Sequence, residues 1–296
     1  MWDQILKRIN LEITPYKAAN LWDADPDSLK IVNVGINIVG RFETNKQGRY
    51  LKIIHAKLRS KEEITASVDY LSHLYKSGAP VCAPIKSQQG NFIEAIAQED
   101  DVFLATVTDE IKGERLDFES HNAEIYKAWG IALAKLHQAA EIYRPAAKCH
   151  FLTWQDLHAE TKNYVKNEAG DIKEEFRQID HWLNHLQETK HNFGLIHTDN
   201  RSENIILNGK EAFIVDFDEP VYHWFAADVA RPLLEFHDKL NKEIQYFLKY
   251  YIQGYRSIRQ FSDEEMKNLN WFMRMKDLAI YLWSKNNLSK TTVLQK

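Results

Sequence analysis

Residues 194–218 read GLIHTDNRSENIILNGKEAFIVDFD, and this stretch decides how the rest of the chain is understood. Ile205-Ile206-Leu207 and Ala212-Phe213-Ile214-Val215 are short apolar runs of strand type. Asn208-Gly209 between them is a type I′ turn signal, so the segment predicts a hairpin. Closing it is expected to bring Asn204 and Asp216, at its opposite ends, side by side, where they can grip one cation. Asp199, just ahead of the hairpin, is then placed to accept or orient the proton of an attacking hydroxyl. Phosphoryl transfer from a nucleotide needs these groups. The alternative is a polar loop whose Asp and Asn only serve turns. His-x-Asp, then Asn, then Asp around a strand–turn–strand unit favours the chemical reading.

The same segment resembles the aminoglycoside phosphotransferase and choline kinase superfamily, the small-molecule branch of the protein-kinase-like fold. Its usual signature is His-Gly-Asp, four residues, Asn, then a hairpin ending in an acidic run. Here these elements are His197-Thr198-Asp199, Asn204 and Asp216-Phe217-Asp218. Tyr222-His223-Trp224-Phe225-Ala226-Ala227-Asp228 is similar to the segment that follows the motif in type II homoserine kinases and the bacterial stress-response kinases. The resemblance implies that Asp228 braces the catalytic loop, that His197 packs beneath it, and that Asp199 faces the acceptor. It also implies Mg2+ as cofactor, ATP or GTP as co-substrate, and a small-molecule hydroxyl as acceptor. It is specific from about residue 194 to residue 230.

Composition agrees with this. A chain of 296 residues with 44% hydrophobic content can bury a large core in one bilobal unit or two close-packed domains. The net charge of −4 offers no basic footprint for nucleic acid. Cys82 and Cys149 are too few for a disulfide framework and read as reduced thiols. No apolar run approaches the ~20 residues of a membrane span, and MWDQILKRIN lacks the apolar core of a signal peptide. A cytoplasmic monomer or homodimer is expected.

Lys30–Val34, Ile36–Glu43 and Arg49–His55 read as strands, followed by a helix bearing Ile64, Val68, Leu71 and Tyr75 on one face. Ser60 with Glu63 forms a capping box at its start, and Gly78 with Pro80 supplies its stop. Two further strands, Asn91–Ala97 and Val102–Thr108, complete a small five-stranded antiparallel lobe, residues 1–109. Residues 110–296 form a larger, mostly helical lobe carrying the catalytic hairpin. Its helical stripes are Ile125, Trp129, Leu133, Leu136, Ala140 and Ile172, Phe176, Ile179, Leu183, Leu186, with later helices near 226–239, 241–258 and 263–286. The expected fold is therefore α+β, bilobal and protein-kinase-like.

Outside the hairpin, Lys52 in the third strand is the candidate for holding the nucleotide phosphates. Alternation puts it on the face of Tyr50 and Ile54, opposite Leu51 and Ile53. In relatives a helix Glu fixes this lysine, but Ser67 stands at that position here. Glu63, one turn earlier, is either the partner of Lys52 or only a cap; Glu62 and Asp69 are weaker candidates. Gly35 and Asn37 are similar to the family's phosphate-covering turn. Asp218 is a candidate second metal contact, two residues from Asp216 on an extended chain. His137 reads as a structural core histidine. Glu219, Tyr222, Trp224, Trp271, Arg274 and Trp283 are candidates for the acceptor site, where aromatic faces suit a cationic amine and Arg274 suits an anion.

Position 198 is Thr rather than the Arg of phosphorylation-regulated protein kinases, and no Ala-Pro-Glu run follows. The sequence thus predicts an O-phosphotransferase acting on a small molecule such as an aminoglycoside or amino alcohol. A protein Ser/Thr kinase of the stress-response type and a nucleotide-binding pseudoenzyme are the alternatives.

Overall fold

Alternating burial along paired strands builds the first part of the chain. In the computed structural model, which describes residues 9–117, 122–236 and 239–287, Leu51 and Ile53 are buried on one face of a sheet. Lys52 and Ile54 face the other way. The chain divides into two compact units: Met1–Glu114 with Tyr143–His150 and Val215–Asp218, and Arg115–Ile142 with Phe151–Ile214 and Glu219–Lys296. The first unit is thus discontinuous in sequence.

That unit holds an antiparallel sheet of β1 (Lys30–Val34), β2 (Ile38–Thr44), β3 (Gln47–His55), β4 (Pro84–Ile85), β5 (Ile93–Gln98) and β6 (Asp101–Asp109). Its order is β1-β2-β3-β6-β4, with β5 also on β6. The five strands read from the sequence are present, and the two-residue β4 is a sixth that it did not reveal. One face packs Phe42, Leu51, Ile53, Phe103, Ala105 and Val107 with Ala18, Ala19 and Trp22 from α1 (Thr14–Asn20) and the turn after it. On the other face Ile54, Ile93 and Leu104 cluster with Ile64 of α2 (Lys61–Lys76). Each such large apolar side chain contributes about 1.5–3 kcal/mol when fully buried. Lys52 shares the face that α2 covers.

The second unit is mostly helical: α3 (Ala123–Ile142), α4 (Trp154–Val165), α5 (Gly170–Leu183), α6 (Phe225–Ala230), α7 (Asn241–Arg256) and α8 (Asp263–Asn287). Three short strands, β7 (Leu152–Thr153), β8 (Phe193–Ile196) and β11 (Val221–Trp224), form a sheet with β11 in the centre. Between them in sequence lies the hairpin β9 (Ile205–Asn208) and β10 (Glu211–Ile214), in the register Ile205 to Ile214 and Asn208 to Glu211. The turn differs from the expected type I′. Its two loop residues are Gly209 and Lys210, and Gly209 has φ +61 while Lys210 has no positive φ. This is the type II′ pattern, in which Gly occupies the first central position.

Helices α3 and α7 approach at two glycines. A Cβ on Gly130 would lie 2.0 Å from the Tyr251 carbonyl oxygen, and one on Gly254 would lie 2.0 Å from that of Lys127. Around this contact Trp129 packs edge-on against Phe247 and Tyr251. The helix expected near 226–239 is instead α6 followed by a 3-10 helix, Arg231–Phe236; positions 237 and 238 lie outside the described residues. So do residues 1–8, on which the expectation about a leader rests. Among the described residues no helix is long and apolar enough to cross a membrane.

Candidate active site

The loop between β8 and the hairpin is set by a single buried carboxylate. Asp228, fully buried on α6, accepts the backbone N–H of His197 at 2.7 Å and of Thr198 at 2.7 Å. These bonds hold Thr198 at φ +72, a left-handed conformation that costs a β-branched residue energy and that glycine adopts freely. The Thr198 hydroxyl is fixed as well, donating to the Glu219 carbonyl at 3.0 Å. Behind Asp228 runs a hydrogen-bonded line. His137 Nε2 lies 3.2 Å from Asp228, His137 Nδ1 lies 2.8 Å from the Tyr255 hydroxyl, and Arg259 donates to that hydroxyl at 3.0 Å. Arg259 is itself paired with Glu141.

Because Arg259 donates to Tyr255, the tyrosine proton points at His137 Nδ1, and His137 donates through Nε2 to Asp228. Burial keeps His137 neutral, below its ordinary value. Burial also opposes ionisation of Asp228, but the bonds from His137 and the His197 N–H hold its carboxyl below the usual range. His137 is thus the satisfied core histidine that the sequence suggested.

Asp199 follows at the tip of the loop. Its Oδ1 takes a fork from Arg231, at 2.8 Å from Nη2 and 3.1 Å from Nε. Arg201 Nε lies 3.1 Å from Oδ2. Burial pushes the Asp199 carboxyl up, yet Arg231, Arg201 and Lys276 together hold it below the ordinary aspartate range. His197 Nδ1 accepts the Asp199 N–H at 3.2 Å. Asn204 spends its Nδ2 on Asp199, at 2.8 Å from the carbonyl and 3.1 Å from Oδ2.

Asn200 is buried and binds Trp129 Nε1, the Tyr251 hydroxyl and the Asp228 carbonyl. Sequence reasoning missed Asn200, Arg231, Arg201 and Lys276. Arg201, two residues beyond Asp199, was within reach of a local reading. The other contacts span 28 or more residues or cross from α8, so no local signal pointed to them.

In the first unit, Lys52 Nζ sits between two carboxylates. It bonds to Asp216 and lies 2.7 Å from Asp218 Oδ1. Burial works against the Lys52 charge, but Asp218 and Asp216 outweigh it and raise its pKa. Asn37 Nδ2 donates to Asp218 Oδ2 at 2.5 Å, and Gly35 N–H to the Asn37 carbonyl at 3.0 Å, closing the turn from β1 to β2.

Two expectations are corrected here. Lys52 does not pair with Glu63, because the Glu63 carboxylate is committed to the helix cap, 2.7 Å from Ser60 N. Asp216 and Asp218 do not lie along an extended chain, because Asp216 has φ +75; both nevertheless meet Lys52.

The acceptor candidates separate. Trp224 is core, packed against Trp154, Phe193 and Phe272, and therefore unavailable to a ligand. Arg274 is held by Glu175 through two 2.7 Å bonds and lies over Trp271, which stacks on Trp182. Both Arg274 and Trp271 are thus engaged by partners on α5. Trp283 is partly exposed along α8. Tyr222 is half-buried beside Phe151. Glu219 is exposed and acts on Lys276, which also faces Asp199. Burial beside Arg231 lowers the Lys276 pKa. Among the described residues no three His, Cys, Asp or Glu side chains are grouped as a metal site.

Comparison with known proteins accords with this geometry. Residues 37–261 match the model of the phosphotransferase enzyme family (APH). The chain is 23% identical over 281 residues to amicoumacin kinase of Bacillus subtilis (strain 168), covering 90% of this chain and 82% of that protein. The structure of an amicoumacin kinase, hAmiN, in complex with AMP-PNP, Ca2+ and Ami superposes with a TM-score of 0.88 at 22% identity, over 98% of this chain and 90% of that one. A microcompartment-associated aminopropanol kinase gives 0.79 at 17% identity, over 96% and 91%. These similarities establish an α+β fold with an antiparallel sheet and a helical part, shared with the small-molecule kinases. The chain belongs to the phosphotransferase enzyme family.

Proposed function

We propose that this phosphotransferase moves the γ-phosphoryl group of ATP or GTP to a hydroxyl of a small molecule of the amino-alcohol or aminoglycoside kind. The observation that carries the reading is Asp199, an ionised carboxylate at the tip of a loop braced from beneath, with Asn204 folded against it. Asp199 orients the acceptor hydroxyl. Because its pKa is held low, it takes the proton late, which suits a loose transition state that asks for little covalent help. Lys52 binds phosphate oxygens, and Gly35 with Asn37 lines the turn above them.

The donor set suits magnesium. Asn204 commits its Nδ2 to Asp199, so its hard amide oxygen faces away from that bond, and Asp216 adds a carboxylate. Asn204 and Asp216 are the residues we assign to it. Magnesium supplies charge neutralisation of the phosphates. In this reading Glu219 and Tyr222 border the acceptor, and the enzyme works in the cytoplasm, where nucleotide is abundant.

The test is a turnover screen with ATP and GTP against amicoumacin, aminopropanol, aminoglycosides, sugars and a generic protein substrate. Nucleotide consumption dependent on one small molecule is expected, and that molecule at saturation is expected to suppress any protein labelling. Turnover only with protein, or with no acceptor at all, overturns the proposal.

A further inference from the structure

Ser67 occupies the position on α2 where the resemblance places the glutamate that holds the strand lysine. What surrounds Ser67 is a cation rather than an anion. Arg59 Nη2 donates to Ser67 Oγ at 2.9 Å, and Arg59 Nη1 stands 3.5 Å from Asp218 Oδ1. Both Arg59 and Ser67 donate to the Asp218 carbonyl, Ser67 at 3.0 Å. The Asp218 carboxylate is occupied at both oxygens. Oδ1 receives Lys52 at 2.7 Å and Oδ2 receives Asn37 at 2.5 Å. Its side chain is 27% exposed, against 44% for Asp216.

We propose that Asp218 is a positioning residue for Lys52, standing in for the helix carboxylate that the chain lacks at Ser67, and that it is not a metal ligand. The charge pattern supports one coherent exchange. A glutamate at 67 would meet Arg59 before it met Lys52, so the anion has moved to the loop and the cation to the helix side. Arg59 and Ser67 then anchor the Asp218 backbone, and Asn37 turns its carboxylate toward Lys52. When Asp216 engages the metal, Lys52 keeps Asp218 and stays extended toward the phosphates. A long ammonium side chain held before the nucleotide arrives loses less freedom on binding.

The inference rests on the nucleotide site proposed above, and the test keeps the two apart. Full-length parent, Asp218→Asn and Asp216→Asn are titrated with AMP-PNP by calorimetry at saturating Mg2+. Mg2+ is then titrated at fixed AMP-PNP, reading the rise in melting temperature. Asp218→Asn is expected to weaken AMP-PNP by about three- to tenfold, the range for immobilising a flexible side chain at binding rather than before it. Its Mg2+ midpoint is expected to match the parent within about twofold, while Asp216→Asn moves that midpoint by about tenfold or more. Adding Ser67→Glu with Arg59→Met to Asp218→Asn returns a carboxylate to the helix and is expected to recover the affinity.

Unchanged or tighter AMP-PNP binding by Asp218→Asn overturns the assignment. So does a Mg2+ midpoint that shifts as in Asp216→Asn, or a triple variant as weak as the single one. A melting temperature of each variant without ligand confirms that folded protein is compared. A parent that binds no AMP-PNP overturns the nucleotide site itself, a distinct outcome.

Discussion

The charged residues of the two units are held in opposite ways. Around the catalytic loop, Asp228, His137 and Asn200 are fully buried, and their bonds are satisfied within the helical unit. Around Lys52 the side chains are 26–44% exposed, and ion pairs hold them. Buried, directional bonds are made once, when the chain folds. Half-exposed ion pairs are each worth about 0–1 kcal/mol and exchange readily with a ligand. The contrast suits the roles proposed above: an Asp199 held still before an acceptor arrives, and a Lys52 and Asp216 able to trade partners when nucleotide and metal come.

The largest effect is expected where the buried side of this comparison is broken. Asp228→Ala strands the His197 and Thr198 N–H groups and His137 Nε2. At about 1–3 kcal/mol for each unsatisfied buried group, a loss of at least ~3 kcal/mol is expected in denaturant unfolding. Asp218→Asn on the exposed side is expected to lose no more than about 1 kcal/mol. Equal losses would erase the distinction.

Next comes the chemistry. Asp199→Asn keeps the shape of the loop but removes the charge assigned above to receive the proton. Transfer is expected to fall at least ~10²-fold, with AMP-PNP affinity within a few-fold of the parent. Parental turnover on the true acceptor would remove Asp199 from its role.

A third expectation concerns pH. Burial, with Lys276 adding to it, pushes His223 down to about 3, and His137 is likewise held below its ordinary value. Both are neutral when folded and protonate more easily when unfolded. The stability each contributes is therefore complete above its unfolded value near 6.5 and is lost as pH falls through it; for His223 the loss continues toward about 3. His223 contributes a slope of about 1.4 kcal/mol per pH unit within that window, and His137 adds to it in the same direction. Unfolding midpoints from pH 7.5 to 4.5 measure it, and His223→Gln is expected to flatten the curve. A parent curve level across that range would contradict it.

The smallest effect sharpens the loop itself. Thr198→Gly removes left-handed strain of about 1–3 kcal/mol but also loses the bond to the Glu219 carbonyl and adds chain entropy. The net change is expected within about 1 kcal/mol. Thr198→Val keeps the strain and loses the bond, so it is expected to melt below the glycine variant.

What the sequence displayed was local. The hairpin strands and the cap at Ser60 with Glu63 each lie within a few residues and appear where they were read. Helix α4 was missed although Thr153 and Asp156 form a capping box at its start, with Asp in place of the usual Glu or Gln. The partners of Trp224 and Arg274, Trp154 and Glu175, are 70 and 99 positions away, so neither contact was legible locally. The line from Arg259 through Tyr255 and His137 to Asp228 crosses 118 positions at one step and leaves no periodic trace. Lys52 was legible by alternation. Its true neighbours were not, because Ser67 signalled only that a carboxylate was missing.

The close approach of Gly130 and Gly254 bears on how this protein can diversify. Gln245, Lys249 and Gln253 on α7 are exposed and free to drift. A single methyl at position 254 is not, since the backbone of α3 stands in its place. The same helix carries Tyr251 and Tyr255, which hold Asn200 and His137. A substitution that adds one carbon at either glycine is thus expected to force the two helices apart and loosen the support of the Asp199 loop, with no residue near Asp199 having changed.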